Sequence, residues 1–235
     1  MLPFDPLTIG SLLVMASSAP SACQIPKAAE ISVVPKTQEL VIDTSRSAAS
    51  LQGQSIDTIN PYGYNSTTHT NGFMEGQISM RSEVSLDYKQ ALRMNAFCLW
   101  YDKVKIEIEI TPKIVIAKEV AADRCMYKAV LEHEMKHINA DRIIVNKYAQ
   151  TFGKKVFDGL QQRGFIAGPI APEDTEQISN RMKKTVGQLV ELEYKKMEIE
   201  RSEAQQAIDN LEEYKRVQAL CPDYKSPVAA SRSSR

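Results

Sequence analysis

The sequence lacks an excess of charge of either sign, and it lacks a long apolar run. Its 235 residues contain 29 Lys and Arg against 29 Asp and Glu, so the formal net charge is zero. A nucleic-acid-binding protein usually carries a basic surplus that neutralises phosphates, so no nucleic-acid partner is expected. No apolar run approaches the roughly 20 residues that a membrane-spanning helix needs. The apolar fraction of 43% is ordinary for a globular chain and predicts a packed core.

The first 30 residues have features of an export signal. Residues 7–18 form an apolar run of the length found in signal peptides, and small residues lead from this run to Cys23. The segment contains Asp5 but no Lys or Arg before the apolar run, so an irregular, mildly apolar N-terminus is the alternative. We expect export to the periplasm or cell envelope, with Cys23 as a candidate for lipid attachment.

Cysteine is scarce, with four residues in the chain. Cys98 precedes a predicted strand and Cys125 begins a predicted helix, so these two thiols could form a disulfide in an oxidising compartment. The alternative is that both are buried thiols, which pack like small apolar side chains. If Cys98 pairs with Cys125 and Cys23 carries a lipid, Cys221 remains unpaired.

Alternation of apolar and polar residues predicts a small antiparallel sheet. A short strand is expected at Glu39–Asp43, before a turn-rich loop at Asn60–Gly72. From Gln77 onward the apolar residues recur at every second position. The run Lys103–Thr111 places Val and Ile on one face and mainly charged residues on the other, so one face is core and the other is solvated. Ile114–Ile116 predicts a third strand of the same sheet.

Helical periodicity follows these strands. Asp123 is a predicted N-cap, and the helix that runs from it towards Gly164 is expected to break at Gly153 or Gly159. A second long helix is predicted over residues 173–220; its charged side chains indicate a solvated face, and its distal half is a candidate for self-association. One face of the first helix carries apolar residues and two histidines, namely Met126, Val130, His133, His137, Ile144 and Tyr148.

Together these patterns predict an α+β fold, in which a small antiparallel sheet packs against the histidine-bearing helix and a long C-terminal helix follows. The predicted segments are a signal or lipoprotein segment at 1–30, a polar N-terminal segment at 31–75, a metal-binding core at 76–165, the charged helix at 173–220 and a disordered tail at 221–235.

Two of the three histidines lie in the motif H-E-x-x-H, which reads HEMKH here. Residues four apart on a helix lie one turn above each other, so His133 and His137 can bind one metal ion. Glu134 lies about 100° further round the helix, where it would act as a general base on water instead of binding the metal. The motif therefore predicts a zinc site with two histidine ligands and Glu134 as the catalytic residue. The alternative is an amphipathic helix with two partly buried histidines.

A catalytic zinc site generally needs a third protein ligand, which the motif does not supply. Glu193 is the first candidate, because it interrupts an apolar row of the second helix; a pairing with a nearby lysine is the alternative. Asp141 is the second candidate, although its distance along the helix better suits the role of orienting an imidazole. His69 lies in a polar loop and is expected to be exposed to solvent.

The HEMKH helix resembles the active-site helix of the zincin metallopeptidases. The wider block, from the strand near residue 40 through Cys98 and the strands of KIEIEITPKIVI to HEMKH, is similar to bacterial exported domains predicted to be zinc-dependent proteases. In zincins the two histidines bind zinc and the glutamate is the base, and the resemblance carries these roles to His133, His137 and Glu134. Lys136 departs from the uncharged residue usual in zincins, and the longer metzincin motif is absent.

These features predict a zinc-dependent hydrolase of the cell envelope, in the first place a metallopeptidase acting on a peptide or protein. By analogy with zincins, the strand Lys113–Lys118 would pair with an extended substrate. Two alternatives remain: an envelope binding or scaffold protein whose zinc site is structural or absent, and a metal-dependent hydrolase of another amide or ester.

Overall fold

The computed structural model describes residues 22–24, 27–52, 69–91 and 94–226. The predicted signal run at 7–18, most of the predicted loop Asn60–Gly72 and the end of the predicted disordered tail lie outside these ranges. The described chain combines two sheets with long C-terminal helices, which confirms the predicted α+β fold.

Within the described residues, seven strands and five helices follow one another. The strands are β1 (Glu30–Thr37), β2 (Val41–Asp43), β3 (Gly72–Met74), β4 (Gln77–Gln90), β5 (Phe97–Thr111), β6 (Lys113–Ile116) and β7 (Ile166–Ile170). The helices are α1 (Ala48–Leu51), α2 (Lys118–Ala121), α3 (Arg124–Arg163), α4 (Thr175–Ile208) and α5 (Leu211–Leu220), with a 3-10 turn at Pro172–Asp174 before α4.

The chain forms two compact units, each assembled from three segments. The first unit contains the chain up to Lys36, Ser79–Ile108 and Val145–Lys196. The second unit contains Thr37–Ile78, Glu109–Ile144 and the chain from Met197 onward. Five elements, namely β1, β4, β5, α3 and α4, contribute residues to both units.

The first sheet is built around β5, which lies between β1 and β4 and also pairs with β7. The apolar face predicted for β5 is confirmed, because Val104, Ile106, Ile108 and Ile110 are each at most 1% exposed. Two strands of this sheet were not predicted: β1 lies in the segment predicted to be polar, and β7 lies between the predicted metal-binding core and the predicted charged helix.

Close contact between backbones explains why β7 contains glycine. β7 pairs antiparallel with β5, and Ile166 lies opposite Trp100. Gly168 has a φ of 139°, and a Cβ atom there would lie 2.7 Å from the carbonyl oxygen of Phe97. Glycine, which is typical of loops, is therefore required for this strand to approach β5.

The second sheet belongs to the second unit and is mixed. β6 lies in its centre, antiparallel to β3 and parallel to β2. The prediction that this strand belongs to the same sheet as β5 is wrong, and β3 was not predicted. Because both edges of β6 are already paired, the prediction that Lys113–Lys118 pairs with an extended substrate is wrong. Buried residues of α3, among them Val130 and Ile138, pack with Ile114 and Ile116 in one apolar core.

The helices differ from the prediction at two places. α3 continues through Gly153 and Gly159, where a break was predicted. A Cβ atom at Gly159 would lie 2.6 Å from Cδ2 of Leu189, so this glycine permits close packing on α4. The predicted single helix over 173–220 is two helices, because α4 ends at Ile208 and α5 begins at Leu211.

All four cysteines form disulfides, between Cys23 and Cys98 and between Cys125 and Cys221. The predicted pairing of Cys98 with Cys125 is therefore wrong. Lipid attachment at Cys23 is also excluded in this structure, because its sulfur atom is already bonded to Cys98. Two disulfides indicate that the protein folds in an oxidising compartment.

No helix in the described part of the chain is both long and apolar enough to cross a membrane.

One charged residue on the predicted solvated face of β5 is buried. Glu107 is 4% exposed and accepts hydrogen bonds from Arg81 at 2.6 Å and Lys36 at 2.7 Å, and it pairs with Lys105 at 2.8 Å. These bonds, the one from Lys105 first, lower the pKa of Glu107 from 4.5 to about 2. The carboxylate of Glu107 therefore contacts three cations.

Glu107 should make the stability of the protein dependent on acid pH. A carboxyl group that is more acidic in the folded state stabilises the fold above its unfolded pKa, near 4.5, and loses this effect as the pH falls through about 2. We expect Glu107→Gln to be less stable than wild type at neutral pH, with the difference shrinking below pH 4.5. Urea unfolding across this pH range measures it. Glu39→Gln, an exposed site between β1 and β2, is the control; an equal difference at all pH values would contradict the prediction.

Candidate metal centre

The H-E-x-x-H motif lies in the N-terminal half of α3. The Asp123 side chain accepts a hydrogen bond from the backbone N–H of Met126 at 2.8 Å, so it caps this helix as predicted. Val130 and Ile138, on either side of the motif, are buried in the core of the second unit. This packing fixes the helix, and with it the direction of both histidine side chains.

Three ligand atoms converge at this place. The Nε2 atoms of His133 and His137 lie 3.4 Å apart. Oδ1 of Asp209 lies 3.2 Å from Nε2 of His133 and 3.4 Å from Nε2 of His137. A tetrahedral zinc ion with bonds of about 2.05 Å separates its ligand atoms by about 3.35 Å, because the edge of a tetrahedron is about 1.63 times the bond. The triangle therefore has the size that a tetrahedral metal site requires.

The break between α4 and α5 brings Asp209 to the histidines. The side-chain Nδ2 of Asn210 donates to the carbonyl oxygen of Ala207 at 2.9 Å and so caps the end of α4. Its Oδ1 accepts from the backbone N–H of Glu213 at 2.9 Å and so caps the start of α5. One asparagine therefore ends one helix and begins the next, and it leaves Asp209 between them.

The other ring nitrogen of each histidine also has a partner. Nδ1 of His133 lies 3.2 Å from Oε1 of Glu213. Nδ1 of His137 contacts Oε1 of Gln205. Partners of this kind on Nδ1 are common behind metal-binding histidines, because they orient the ring and leave Nε2 to the metal.

Glu213 also explains the lysine within the motif. The hydrogen bond from Arg216 lowers the pKa of Glu213 most, and Lys136 and His133 lower it further against the effect of burial. The Nζ of Lys136 lies 2.7 Å from Oε2 of Glu213. Lys136, which departs from the zincin pattern, therefore helps to hold the carboxylate behind His133.

Glu134 is a buried acid beside the histidine pair. It is 4% exposed, and burial raises the pKa of its carboxyl group to about 7, although both histidines and the backbone N–H of Met74 oppose the shift. The ligand atoms of His133, Glu134 and His137 all lie within 4.8 Å of one another. A carboxyl group with this pKa can take up or release a proton near neutral pH.

The surroundings favour positive charge at the centre. Burial lowers the pKa of both imidazoles, but the hydrogen bonds with Asp209 and the charge of Glu134 outweigh burial and raise it. A divalent cation bound by the same groups would supply this positive charge. The donor set and its electrostatics therefore fit a metal ion.

The two acids predicted as third ligands have other partners. Glu193 pairs with Lys155 at 2.8 Å and with Lys196, which is the alternative that its position on the helix left open. Asp141 accepts a hydrogen bond from Nε2 of Gln205 at 2.6 Å, and Gln205 in turn contacts His137. Asp141 thus has the orienting role that its position suggested.

His69 is partly exposed, and the group of metal-binding side chains found in the described residues does not include it.

Asp209 was missed because the prediction merged α4 and α5. A sequence signal was present, since Asn210 followed three residues later by Glu213 has the spacing of a helix N-terminal capping box. A helix start at Leu211 would have placed Asp209 outside both helices and made it a candidate ligand.

Comparisons of the chain with known protein families, with curated protein sequences and with solved structures gave no match. The description of the site therefore depends on its own geometry, which defines a His-Glu-His group that could hold a metal ion.

Proposed function

We propose that this protein is a zinc-dependent peptidase of the periplasm or cell envelope. The observation that carries the proposal is the triangle of His133 Nε2, His137 Nε2 and Asp209 Oδ1, with sides of 3.2 to 3.4 Å, beside the buried carboxyl group of Glu134. Two histidines and one carboxylate are the protein ligands of several catalytic zinc sites, in which a fourth position stays open.

The size of the triangle favours zinc over an octahedral metal. Two histidines and one carboxylate also bind Fe(II) as a facial triad. In an octahedron with bonds of about 2.1 Å, neighbouring ligand atoms lie only about 3.0 Å apart. The separations of 3.2 to 3.4 Å are nearer the tetrahedral value, and zinc commonly adopts tetrahedral coordination.

In this proposal each residue has a defined task. His133, His137 and Asp209 would hold the metal, which when bound polarises a carbonyl group and makes water more acidic. Glu134 takes a proton from the attacking water and delivers it to the leaving amine. The backbone N–H of Met74, a hydrogen-bond donor to Glu134, keeps its carboxyl group in place.

The resemblance of HEMKH to zincin helices supports a peptide substrate, and the two disulfides support an exported protein. Outside the cytosol, an exported peptidase would meet peptides or proteins of the envelope. The apolar run at residues 7–18, predicted to be part of an export signal, is consistent with this location.

A second candidate function is a binding or scaffold protein with a structural zinc ion. One observation favours it: His133, Glu134, His137 and Asp209 are each at most 9% exposed, as expected for a closed site. In the peptidase Glu134 would transfer protons during hydrolysis, whereas in the scaffold protein it would have no catalytic role. Glu134 therefore separates them.

Glu134→Gln should retain zinc and lose hydrolysis. The amide has nearly the same shape as the carboxylate but is a far weaker base, so we expect activity to fall at least about 10²-fold, within the range typical of acid–base catalysis. Zinc content is measured by elemental analysis, and hydrolysis is measured with fluorescently labelled casein as a general protein substrate.

Asp158→Asn is the matched control, because Asp158 lies on the same helix with its side chain 44% exposed and pairs with Lys154, which is not part of the metal centre. It should keep both zinc and activity. A zinc-loaded wild type that does not cleave casein, or Glu134→Gln with wild-type activity, would contradict the peptidase. The first outcome would favour the structural zinc ion.

A further inference from the structure

We propose that Gln205, Asp141 and Arg201 form a buried positioning chain that fixes the tautomer of His137 and aims its Nε2 at the metal centre. The part of this inference that concerns metal affinity rests on the proposed function. The part that concerns the tautomer applies to the metal-free protein. All the residues involved belong to the second unit.

Gln205 has only one possible amide orientation. Its Nε2 lies 2.6 Å from Oδ1 of Asp141 and 3.1 Å from the backbone carbonyl oxygen of His137. Both of these atoms are acceptors, so the atom facing them must be the NH2 group, and its two hydrogens are both used. The amide oxygen of this 6% exposed residue must therefore face Nδ1 of His137.

This orientation determines where His137 carries its proton. An amide oxygen can only accept a hydrogen bond, and it lies closer to Nδ1 than the competing acceptor, Oδ1 of Asp209 at 3.4 Å, lies to Nε2. The neutral imidazole therefore carries its one hydrogen on Nδ1, and Nε2 donates to Asp209 only when the ring is protonated. Nε2 then presents a lone pair, and it faces Oδ1 of Asp209 at 3.4 Å and Nε2 of His133 at 3.4 Å. Metal binding through Nε2 requires this tautomer.

Arg201 keeps Asp141 able to act as an acceptor. Asp141 is 1% exposed, and a carboxylate buried to this extent needs a charged partner. The guanidinium of Arg201 supplies one, with Nε at 2.8 Å from Oδ1 and Nη2 at 3.2 Å from Oδ2. This two-point contact fixes the plane of the carboxylate, and hence the position at which Gln205 must donate.

Arg201 also reaches the backbone near the catalytic glutamate. Its Nη2 donates to the carbonyl oxygen of Gly76 at 3.2 Å. Gly76 lies two residues after Met74, whose N–H bonds to Glu134. The guanidinium of Arg201 therefore connects the hydrogen-bonded residues behind His137 with the end of β3, whose Met74 N–H bonds to Glu134. Arg201 is thus a positioning residue for both.

The two histidines consequently have different support. Behind His133 the acceptor is the carboxylate of Glu213, whose surroundings include Lys136 and Arg216. Behind His137 the acceptor is a neutral amide, and the charges of Asp141 and Arg201 lie one step further away. A neutral acceptor can orient the ring without adding a negative charge beside it.

Gln205→Leu tests the chain with two measurements. Imidazole 15N NMR of the metal-free protein at alkaline pH, where the rings are neutral, reports the tautomer of His137. We expect the Nδ1–H form in wild type and a mixture with the Nε2–H form in Gln205→Leu. Zinc affinity, measured by competition with a chromophoric chelator, should fall about 10- to 100-fold, as is typical when the partner of a metal-binding histidine is removed.

Rescue distinguishes positioning from a general loss of packing. Gln205→Glu combined with Asp141→Asn exchanges the charged and neutral members. The new carboxylate accepts from Nδ1 of His137 and from the new amide at position 141, although the bond to the backbone carbonyl oxygen of His137 is not restored. This double variant should keep the Nδ1–H form, and it remains informative if Gln205→Leu does not fold. Gln188→Leu, an exposed site on the same helix, is the control and should match wild type.

The outcomes separate this inference from the proposed function. An unchanged tautomer and unchanged zinc affinity in Gln205→Leu would overturn the inference and leave the zinc site intact. A changed tautomer in a protein whose wild type binds no zinc would support the inference and overturn the proposed function. Loss of the Nδ1–H form in the double variant would also overturn the inference.

Discussion

Alanine at both His133 and His137 should reduce the zinc content from about one ion per chain to background. The two Nε2 atoms supply two of the three ligand atoms, and their removal leaves one carboxylate, which binds zinc too weakly to retain it. Asp209→Ala should lower the zinc affinity at least about 10²-fold, more than the loss of an outer partner does. Elemental analysis measures the content, and chelator competition measures the affinity.

One glutamate variant and one aspartate variant serve as controls for this result. Glu193→Ala removes the ligand first predicted from the sequence, and Asp223→Ala removes an exposed acid just beyond the disulfide-bonded Cys221. Both should bind zinc as wild type does. If Asp209→Ala kept wild-type affinity while Glu193→Ala lost it, the assignment of the third ligand would have to be reversed. Wild-type protein without zinc after exposure to zinc would contradict the site itself.

The two disulfides should contribute equally to stability but unequally to zinc binding. The Cys125–Cys221 bridge closes a separation of 96 residues, and the Cys23–Cys98 bridge closes one of 75. The chain-entropy relation gives about 4.5 kcal/mol of unfolding free energy for each. Replacing either pair with serine should therefore cost a similar amount in urea unfolding.

Only the second bridge holds α5, which carries Glu213 and follows Asp209. Cys125→Ser with Cys221→Ser should therefore also weaken zinc binding, about 10-fold or more, because both the third ligand and the partner of His133 are less firmly held. Cys23→Ser with Cys98→Ser is the matched control with the same loss of stability. Equal zinc affinities in the two double variants would show that the bridge does not support the metal centre.

Local patterns were sufficient to predict the elements that carry the motif. The alternation in β5 and the spacing of apolar residues and histidines in α3 each depend on neighbours within a few residues, and both were confirmed by burial. The predicted helix break at Gly153 or Gly159 was wrong, because it considered only the local cost of glycine in a helix, about 1 kcal/mol per residue. The packing of Leu189 against Gly159 is a contact between distant segments.

The rest of the site could not be derived from spacing. Asp209 comes near the histidines only because the chain turns at Asn210, and a disulfide partner is chosen by the distance between folded segments. Glu193 was a reasonable candidate on its own helix, but Lys155 on another helix neutralises it. An acidic residue that interrupts an apolar row can therefore be assigned to a metal only when the side chains that contact it in the folded protein are known.

The separation of the ligands along the chain sets an order of assembly. His133 and Glu213 stand 80 positions apart, and Asp209 and Cys221 lie in the same late part of the sequence. A chain emerging N-terminus first has both histidines in place long before its third ligand exists. If the proposed site binds zinc, loading would have to wait for synthesis of the C-terminal helix, and the bridge that fastens this helix must wait for an oxidising compartment. The bridged form of the candidate centre is therefore completed only in an oxidising compartment.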